Sequence, residues 1–203
     1  MTDLTIGPGF CVRAMRMDAI QGMSKLPDGS VDLVLTDPPY CSGATREAGR
    51  ARVNKTMTRG ARDEGHWFGS DSLSTAGVQH LLRLAALEWR RVLTPGGHVL
   101  CFSDWRMSEA MAAAIESADL HRGGVVVWDK VNFGLGQAFR LQHEFILHFS
   151  KGKGAAPQNR STPNVLQAKP VRGGLHPTEK PQDLLRRLIE TLCPPGGVVL
   201  DPF

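Results

Sequence analysis

Asp37-Pro38-Pro39-Tyr40 is the stretch of this sequence best suited to chemistry, and Tyr40 is its only tyrosine. Two consecutive prolines stiffen the backbone, so the flanking groups lose little freedom when a ligand arrives. A planar exocyclic amine needs two in-plane acceptors for its protons and a face to lie against. Asp37 and the carbonyl of Pro38 could accept, and the Tyr40 ring could stack. Accepting both protons would localise the nitrogen lone pair and direct it at an electrophile. The same four residues also fit a Pro-Pro turn that ends a strand over a packed tyrosine. They are not a PPxY ligand, because Cys41 follows the tyrosine directly.

Other reactive types are scattered. Cys11, Cys41, Cys101 and Cys193 stand far apart with no CxxC pair, so neither a zinc site nor a disulfide framework is indicated. His143 and His148, five apart on an expected strand, would face opposite sides, which argues against a shared metal. No metal site is expected. Net charge is +4, unevenly placed. Residues 41–66 include Arg46, Arg50, Arg52 and Lys55 and sum to +3. Residues 150–175 carry Lys151, Lys153, Arg160, Lys169 and Arg172, and no acid, against a mildly acidic remainder. Two basic segments suit a polyanionic partner, although such runs also serve as solvated loops.

These residues need a frame. Residues 31–36 are a short apolar strand that stops at Asp37-Pro38-Pro39. Apolar residues at helical spacing predict a helix over 77–93, ended by Thr94-Pro95-Gly96-Gly97, and a strand over 98–102. Ser103 or Asp104 can cap a further helix reaching about residue 118. Strands are expected at 125–128, 144–149 and 198–200, with a helix from Asp183. Residues 150–175 lack periodicity and read as a surface excursion. Leu93-Thr-Pro-Gly-Gly and Cys193-Pro-Pro-Gly-Gly echo each other, as stacked αβ units of a parallel sheet would. Five strands and three helices thus predict one open α/β domain over 1–203. Asp37, Asp104 and Asp201 would each fall just past the carboxyl end of a strand, where such sheets bind ligands. The 41% hydrophobic content suits a packed core. No apolar run reaches membrane length and no signal peptide is visible, so the expected compartment is the reducing cytoplasm.

Asp37–Tyr40 after an apolar strand, then His176-Pro-Thr-Glu-Lys-Pro181, a helix and Val198-Val-Leu-Asp-Pro-Phe203, resemble the amino-DNA methyltransferases in motif and in order. A catalytic loop first, a variable basic segment next and the methyl-donor half last is similar to their beta class. Trp128-Asp-Lys130 and His143-Glu144-Phe-Ile-Leu extend the likeness over nearly the whole chain. The resemblance implies a Rossmann-like α/β sheet, S-adenosylmethionine as methyl donor and double-stranded DNA as partner. It implies catalytic roles for Asp37, Pro38, Pro39 and Tyr40, and donor binding by Thr178, Lys180, Asp201, Pro202 and Phe203. Asp first in the loop favours adenine N6 over cytosine N4. Ring-carbon methylation would need a Pro-Cys nucleophile, and the chain has only the reverse at Cys193-Pro194.

The target base would be flipped onto Tyr40. Loop 41–75, with His66, Trp67 and Phe68, would be a mobile arm over DNA. Residues 150–175 would fill the place of a short target-recognition region. A restriction enzyme partner is left open by the resemblance, as is a third reading, an inactive DNA-binding remnant of prophage type.

The sequence departs from the family where it stops. After Asp201-Pro202-Phe203 the family continues into a glycine-rich turn and an acidic residue for the donor's ribose. The expectation is therefore a sheet incomplete at its C-terminal side, weak donor binding, and Val198, Val199 and Leu200 partly unburied on an edge. Such a chain would be a fragment, a decayed gene or half of a split enzyme.

Overall fold

The computed structural model describes residues 2–5, 11–39, 73–134, 138–171 and 178–203. Tyr40, Arg46, Arg50, Arg52, Lys55, Arg172 and the 41–72 part of the expected arm lie outside the described residues. Eight strands are described: β1 (Thr2–Thr5), β2 (Cys11–Ala14), β3 (Val31–Thr36), β4 (Leu93–Ser103), β5 (His121–Asp129), β6 (His143–Ser150), β7 (Val165–Gln167) and β8 (Val199–Leu200). The described helices are α1 (Ala19–Met23), α2 (Thr75–Val92), α3 (Ser108–Glu116) and α4 (Gln182–Leu192). β1 and β2 form a separate antiparallel ribbon, and the main sheet runs β7-β5-β6-β4-β3-β8.

Helices cover both faces of that sheet, because its strands alternate apolar residues to both sides. Val34, Val99, Cys101, Leu147 and Phe149 face α2 and α3, where Leu82, Trp89, Met111 and Ile115 close the larger core. Leu33, Leu35, Leu100, Phe102, Ile146 and Leu166 face α4 and meet Leu184 and Leu188. Ser74 Oγ accepts from Gly77 N at 3.1 Å and starts α2. At the other end of α2, the Arg91 guanidinium donates to the carbonyls of Met23 and Leu26 and to the carboxylates of Asp28 and Glu88. One side chain thereby ties α1 and its following turn to α2.

Three sequence expectations need correction. The sheet is mixed, since β6 runs antiparallel to both β4 and β5. The stretch expected to be structureless contains β7, which pairs in parallel with β5 and buries Leu166 completely. Finally, Thr94–Gly97 does not separate helix from strand. Leu93 already pairs with Val31, the next four residues bulge out, and pairing resumes at His98 opposite Leu33. The bulge is held from outside, because Gly96 N donates to Lys151 O and Lys151 N to Gly97 O. Gly96 has φ +82°, and a Cβ there would crowd the Ala155 nitrogen and Lys153 carbonyl.

His98 and His148 are diagonal neighbours on the α4 face, a pairing the spacing of histidines in the sequence could not show. His98 Nδ1 lies 3.1 Å from His148 Nε2, and His98 Nε2 lies 3.2 Å from the Ala155 carbonyl. The carbonyl can only accept, so His98 carries its proton on Nε2 and His148 donates to Nδ1. His143 stands on the opposite face, 4.9 Å from the Phe145 ring centroid.

Burial, with the His98 charge adding, lowers the His148 pKa from 6.5 to about 4. The unfolded chain binds this proton near pH 6.5 while the folded protein waits until about 4. Stability is therefore full above the unfolded value, falls with pH through that window and levels off below it. The loss expected from this imidazole is about 3 kcal/mol. Urea unfolding from pH 7 to 4 should show it, and His148→Asn should remove that part of the slope. An unchanged slope in the variant would assign the acid sensitivity to other groups.

Candidate active site

β3 and β8 run in parallel, with Leu33 opposite Val199 and Val34 opposite Leu200. The Asp32 carboxylate accepts from Val198 N at 2.9 Å and fixes that register at its start. Pairing carries both strands to the same edge, so Asp37 and Asp201 emerge side by side. Thr36 Oγ donates to Asp201 Oδ1 at 2.8 Å, joining residues 165 positions apart. Beside them opens a cleft of about 650 Å³, lined by Thr36, Asp37, Phe102, Thr178, Lys180, Leu185, Ile189, Asp201 and Phe203. Its floor is the apolar side of α4 and its rim is charged. A larger groove of about 1480 Å³ lies on the other side of β8, against β2 and α1. It shares Ile189, Val199, Asp201 and Phe203 with the cleft and takes in Pro202, which the cleft does not, but it does not reach Asp37.

The structure brings together most of the described candidates. Pro38 is buried and Pro39 half-buried, which anchors the loop as Asp37 leaves the strand. Lys180 Nζ donates to Asp37 Oδ2, and to the Thr178 carbonyl at 3.5 Å. The same ammonium sits 5.1 Å above the Phe102 ring centroid. Burial pushes the Asp201 carboxyl above the ordinary range; hydrogen bonds from Thr36 and the Phe203 N–H oppose the rise, and the charge of Asp37 adds to it. Cys101 is fully buried on the other face, and burial, with Asp37 and Asp201 adding, pushes its thiol well up. It is thus no nucleophile.

Other candidates separate from the cleft. Asp104 does fall past the end of β4, yet its carboxylate accepts from Arg106 N, Met107 N and the Arg106 guanidinium, so it caps the turn before α3. Lys151 Nζ donates to the Leu93 carbonyl at 2.6 Å and is part-buried. It follows Ser150, which pairs with His98 near the start of β4, whereas Thr36 pairs with Cys101. At about 3.3 Å per residue, Lys151 and Lys153 begin roughly 10 Å back from the Asp37 edge. Arg160 also lies at that trailing end, since Gln158 and Thr162 bond Thr191 at the end of α4. Among the described basic candidates only Lys169, after Ala168 N meets Asp129 O, stands at the leading end.

Sequence reasoning missed the charges that complete this leading edge. Lys130 Nζ donates to Glu144 Oε1 at 2.5 Å and lies 5.0 Å over the Trp128 ring centroid. Glu144 Oε2 is 3.9 Å from Lys180 Nζ. Both residues stood in motifs singled out above, Trp128-Asp-Lys130 and His143-Glu144-Phe-Ile-Leu, but as parts of the family likeness rather than as a charge pair. Arg140 and the exposed Phe133 add a cation 4.8 Å over a ring on the loop between β5 and β6.

Asymmetric carboxylates, one ammonium and an apolar floor suit a zwitterionic ligand with a hydrophobic body. Asp201 and the Lys180 ammonium can take opposite charges, while Leu185, Ile189 and Phe203 cover apolar surface. Among the described residues no group of three His, Cys, Asp or Glu could hold a metal ion. No described helix is long and apolar enough to cross a membrane.

Comparison with known proteins agrees with this layout. A family model described as "DNA methylase", N6_N4_Mtase, matches residues 31–203. YubD of Escherichia coli K12, whose methylase name is provisional, is 31% identical over 191 residues, covering 94% of this chain and 74% of that protein. Among solved structures, the PvuII DNA methyltransferase, named as cytosine-N4-specific, aligns with TM-score 0.67 at 16% identity, over 91% of this chain and 71% of its own. A DNA modification methylase homologue of Thermus thermophilus, TTHA0409, complexed with S-adenosyl-L-methionine, aligns with TM-score 0.62 at 20% identity, over 92% and 76%. At these identities the two structures show a shared Rossmann-like fold.

A carboxyl held above its ordinary range gives a stability term present at low pH and lost as pH rises through its folded value. Asp201→Asn keeps an acceptor for Thr36 and removes the charge. It should raise the melting temperature at pH 7 to 8, with the gain closing as the pH falls through the carboxylate range. A variant less stable than the parent at pH 8 would show that the ionised carboxylate is not a burden there.

Proposed function

The chain belongs to the N6/N4 DNA methylase family, and from that premise we propose that it methylates N6 of an adenine flipped out of double-stranded DNA. The observation that carries the reading is the meeting of the Asp37-Pro38 loop with the Thr178, Lys180 and Asp201 cleft. One side of that junction suits a planar amine and the other a charged, partly apolar donor. S-adenosylmethionine, when bound there, supplies an electrophilic methyl group on a positively charged sulfur.

The residues then divide the work. Thr178 and Lys180 take the polar end of the donor, and Asp201, Pro202 and Phe203 flank the rest. Asp37 and the Pro38 carbonyl accept the two amino protons, which leaves the nitrogen lone pair perpendicular to the base. Tyr40 stacks on the flipped ring, offsetting part of the unstacking penalty of a few kcal/mol. After transfer the nitrogen carries a positive charge and must release one proton, for which the Asp37 carboxylate is within reach. No covalent enzyme adduct is needed, in keeping with a buried, hard-to-ionise Cys101.

Adenine is favoured because Asp leads the loop. Cytosine N4 is the second reading, because its amine presents the same two protons. Incubation with tritiated donor and DNA, followed by digestion to nucleosides, should place label on N6-methyladenine; label on cytosine overturns the base assignment. Asp37→Ala should lower transfer at least 100-fold with DNA affinity nearly unchanged. Parent protein that retains DNA but labels neither base favours the non-catalytic remnant.

DNA approaching the Asp37 edge would meet Lys169 and Arg140 before Lys153 or Arg160. Lys169→Glu should therefore weaken binding and reduce the slope of log affinity against log salt by about one. Lys153→Glu should alter the slope less. Equal effects would mean that the duplex wraps to the trailing end.

A further inference from the structure

Four side chains alternate in sign along the rim: Asp37, Lys180, Glu144 and Lys130. Lys180 is bonded to Asp37, and its side chain is only 10% exposed. Glu144 receives Lys130 on Oε1, whereas its Oε2 is buried and accepts no hydrogen bond, with Lys180 Nζ 3.9 Å away. A buried carboxylate oxygen without a donor is costly and invites an explanation.

We propose that Glu144 is a second seat for the Lys180 ammonium, which neutralises Asp37 in the empty site and shifts onto Glu144 Oε2 when an amino group takes Asp37. This rests on the role of Asp37 proposed above. A carboxylate held by an ammonium is a poor acceptor for a neutral amine, because the charged donor is the stronger competitor. Simply expelling Lys180 would leave a nearly buried cation with no carboxylate of the protein to pair it, and wholly unpaired where no donor is bound, at several kcal/mol. Glu144 Oε2 removes that penalty, since it lies about 1 Å beyond an ideal hydrogen-bond length from the ammonium as it stands.

Two neighbours keep the second seat ready. Lys130 grips Oε1 and prevents Glu144 from turning away. The Phe102 ring lies beneath the ammonium, so the cation keeps an electron-rich surface below it during the shift. Glu144 is thus a positioning residue that acts through Lys180.

Glu144→Gln keeps the size and an acceptor for Lys130 but removes the charge. In single-turnover assays the rate of methyl transfer should fall about tenfold or more, with donor and DNA dissociation constants within twofold of the parent. In a Lys180→Met background the same substitution should cost nothing further, because no ammonium remains to be reseated. An undiminished rate in Glu144→Gln, or an equal loss in both backgrounds, overturns the proposal.

A second measurement needs no turnover. With glutamate labelled at the side-chain carboxyl carbon, the Glu144 signal should move on adding a duplex oligonucleotide carrying methylatable adenines. It should not move in Lys180→Met. A Glu144 signal that ignores DNA in the parent overturns the proposal even if methylation proceeds. A signal that moves as expected in a protein that methylates nothing supports the reseating and overturns the catalytic reading instead.

Discussion

The short parallel pairing of β8 with β3 is the contact on which the cleft depends. Two register pairs, Leu33 with Val199 and Val34 with Leu200, bring Asp37 and Asp201 to one edge although they stand far apart in the sequence. The Asp32 carboxylate secures the start of that register and the Thr36–Asp201 bond secures its finish. A slip of one residue would reverse which face each β8 side chain meets and carry Asp201 away from Asp37. Few contacts hold β8. Val198 is 50% exposed and Val199 37%, so hydrophobic burial contributes little on that side and polar bonds carry much of the positioning.

Having placed two carboxylates together, the fold must manage their charge. Burial pushes the pKa of Asp201 and of Cys101 up; Asp37 adds to the first rise, and both carboxylates add to the second. Lys180, on the turn that leads into α4, is the cation at hand to offset them. Anchoring of α4 by Leu184 and Leu188 against Leu35 and Phe102 is therefore an electrostatic requirement as well as a packing one. The opposite end of the sheet solves its own problem differently. There His98 and His148 stay neutral and bond each other, with the Ala155 carbonyl closing the chain of donors.

Local signals made the positions of β3, α2, β6 and α4 legible, because each is a strong apolar pattern bounded by proline, glycine or a capping residue. The Asp37 loop and the 178–203 segment could be read as one site only through their resemblance to a family, since no local rule joins residues so far apart. What stayed hidden were the non-local choices. Nothing in Val165-Leu166-Gln167 announces a strand; its one buried leucine becomes meaningful only when β5 is there to pair with it. Charge counting marked residues 150–175 as one basic segment, yet the chain crosses from one end of the sheet to the other within it. Lys151 and Lys169 thus belong to different ends of the molecule.

The reversal of β6 is the choice with the greatest consequence for chemistry. In a wholly parallel sheet every strand delivers its carboxyl end to the ligand edge, and residues at strand beginnings lie at the far side. Because β6 is antiparallel to β4, with Phe145 opposite Ser103, its first residues arrive at the edge where Asp37 and Asp201 leave their strands. Glu144 is the second residue of β6, and only this direction can set its carboxylate beside Lys180. Trp128 pairs with Glu144 across the β5–β6 ladder, which puts Lys130, just beyond the strand, on the same rim. An expectation of parallel αβ units would have put Glu144 at the wrong end, beyond reach of any charge in the cleft.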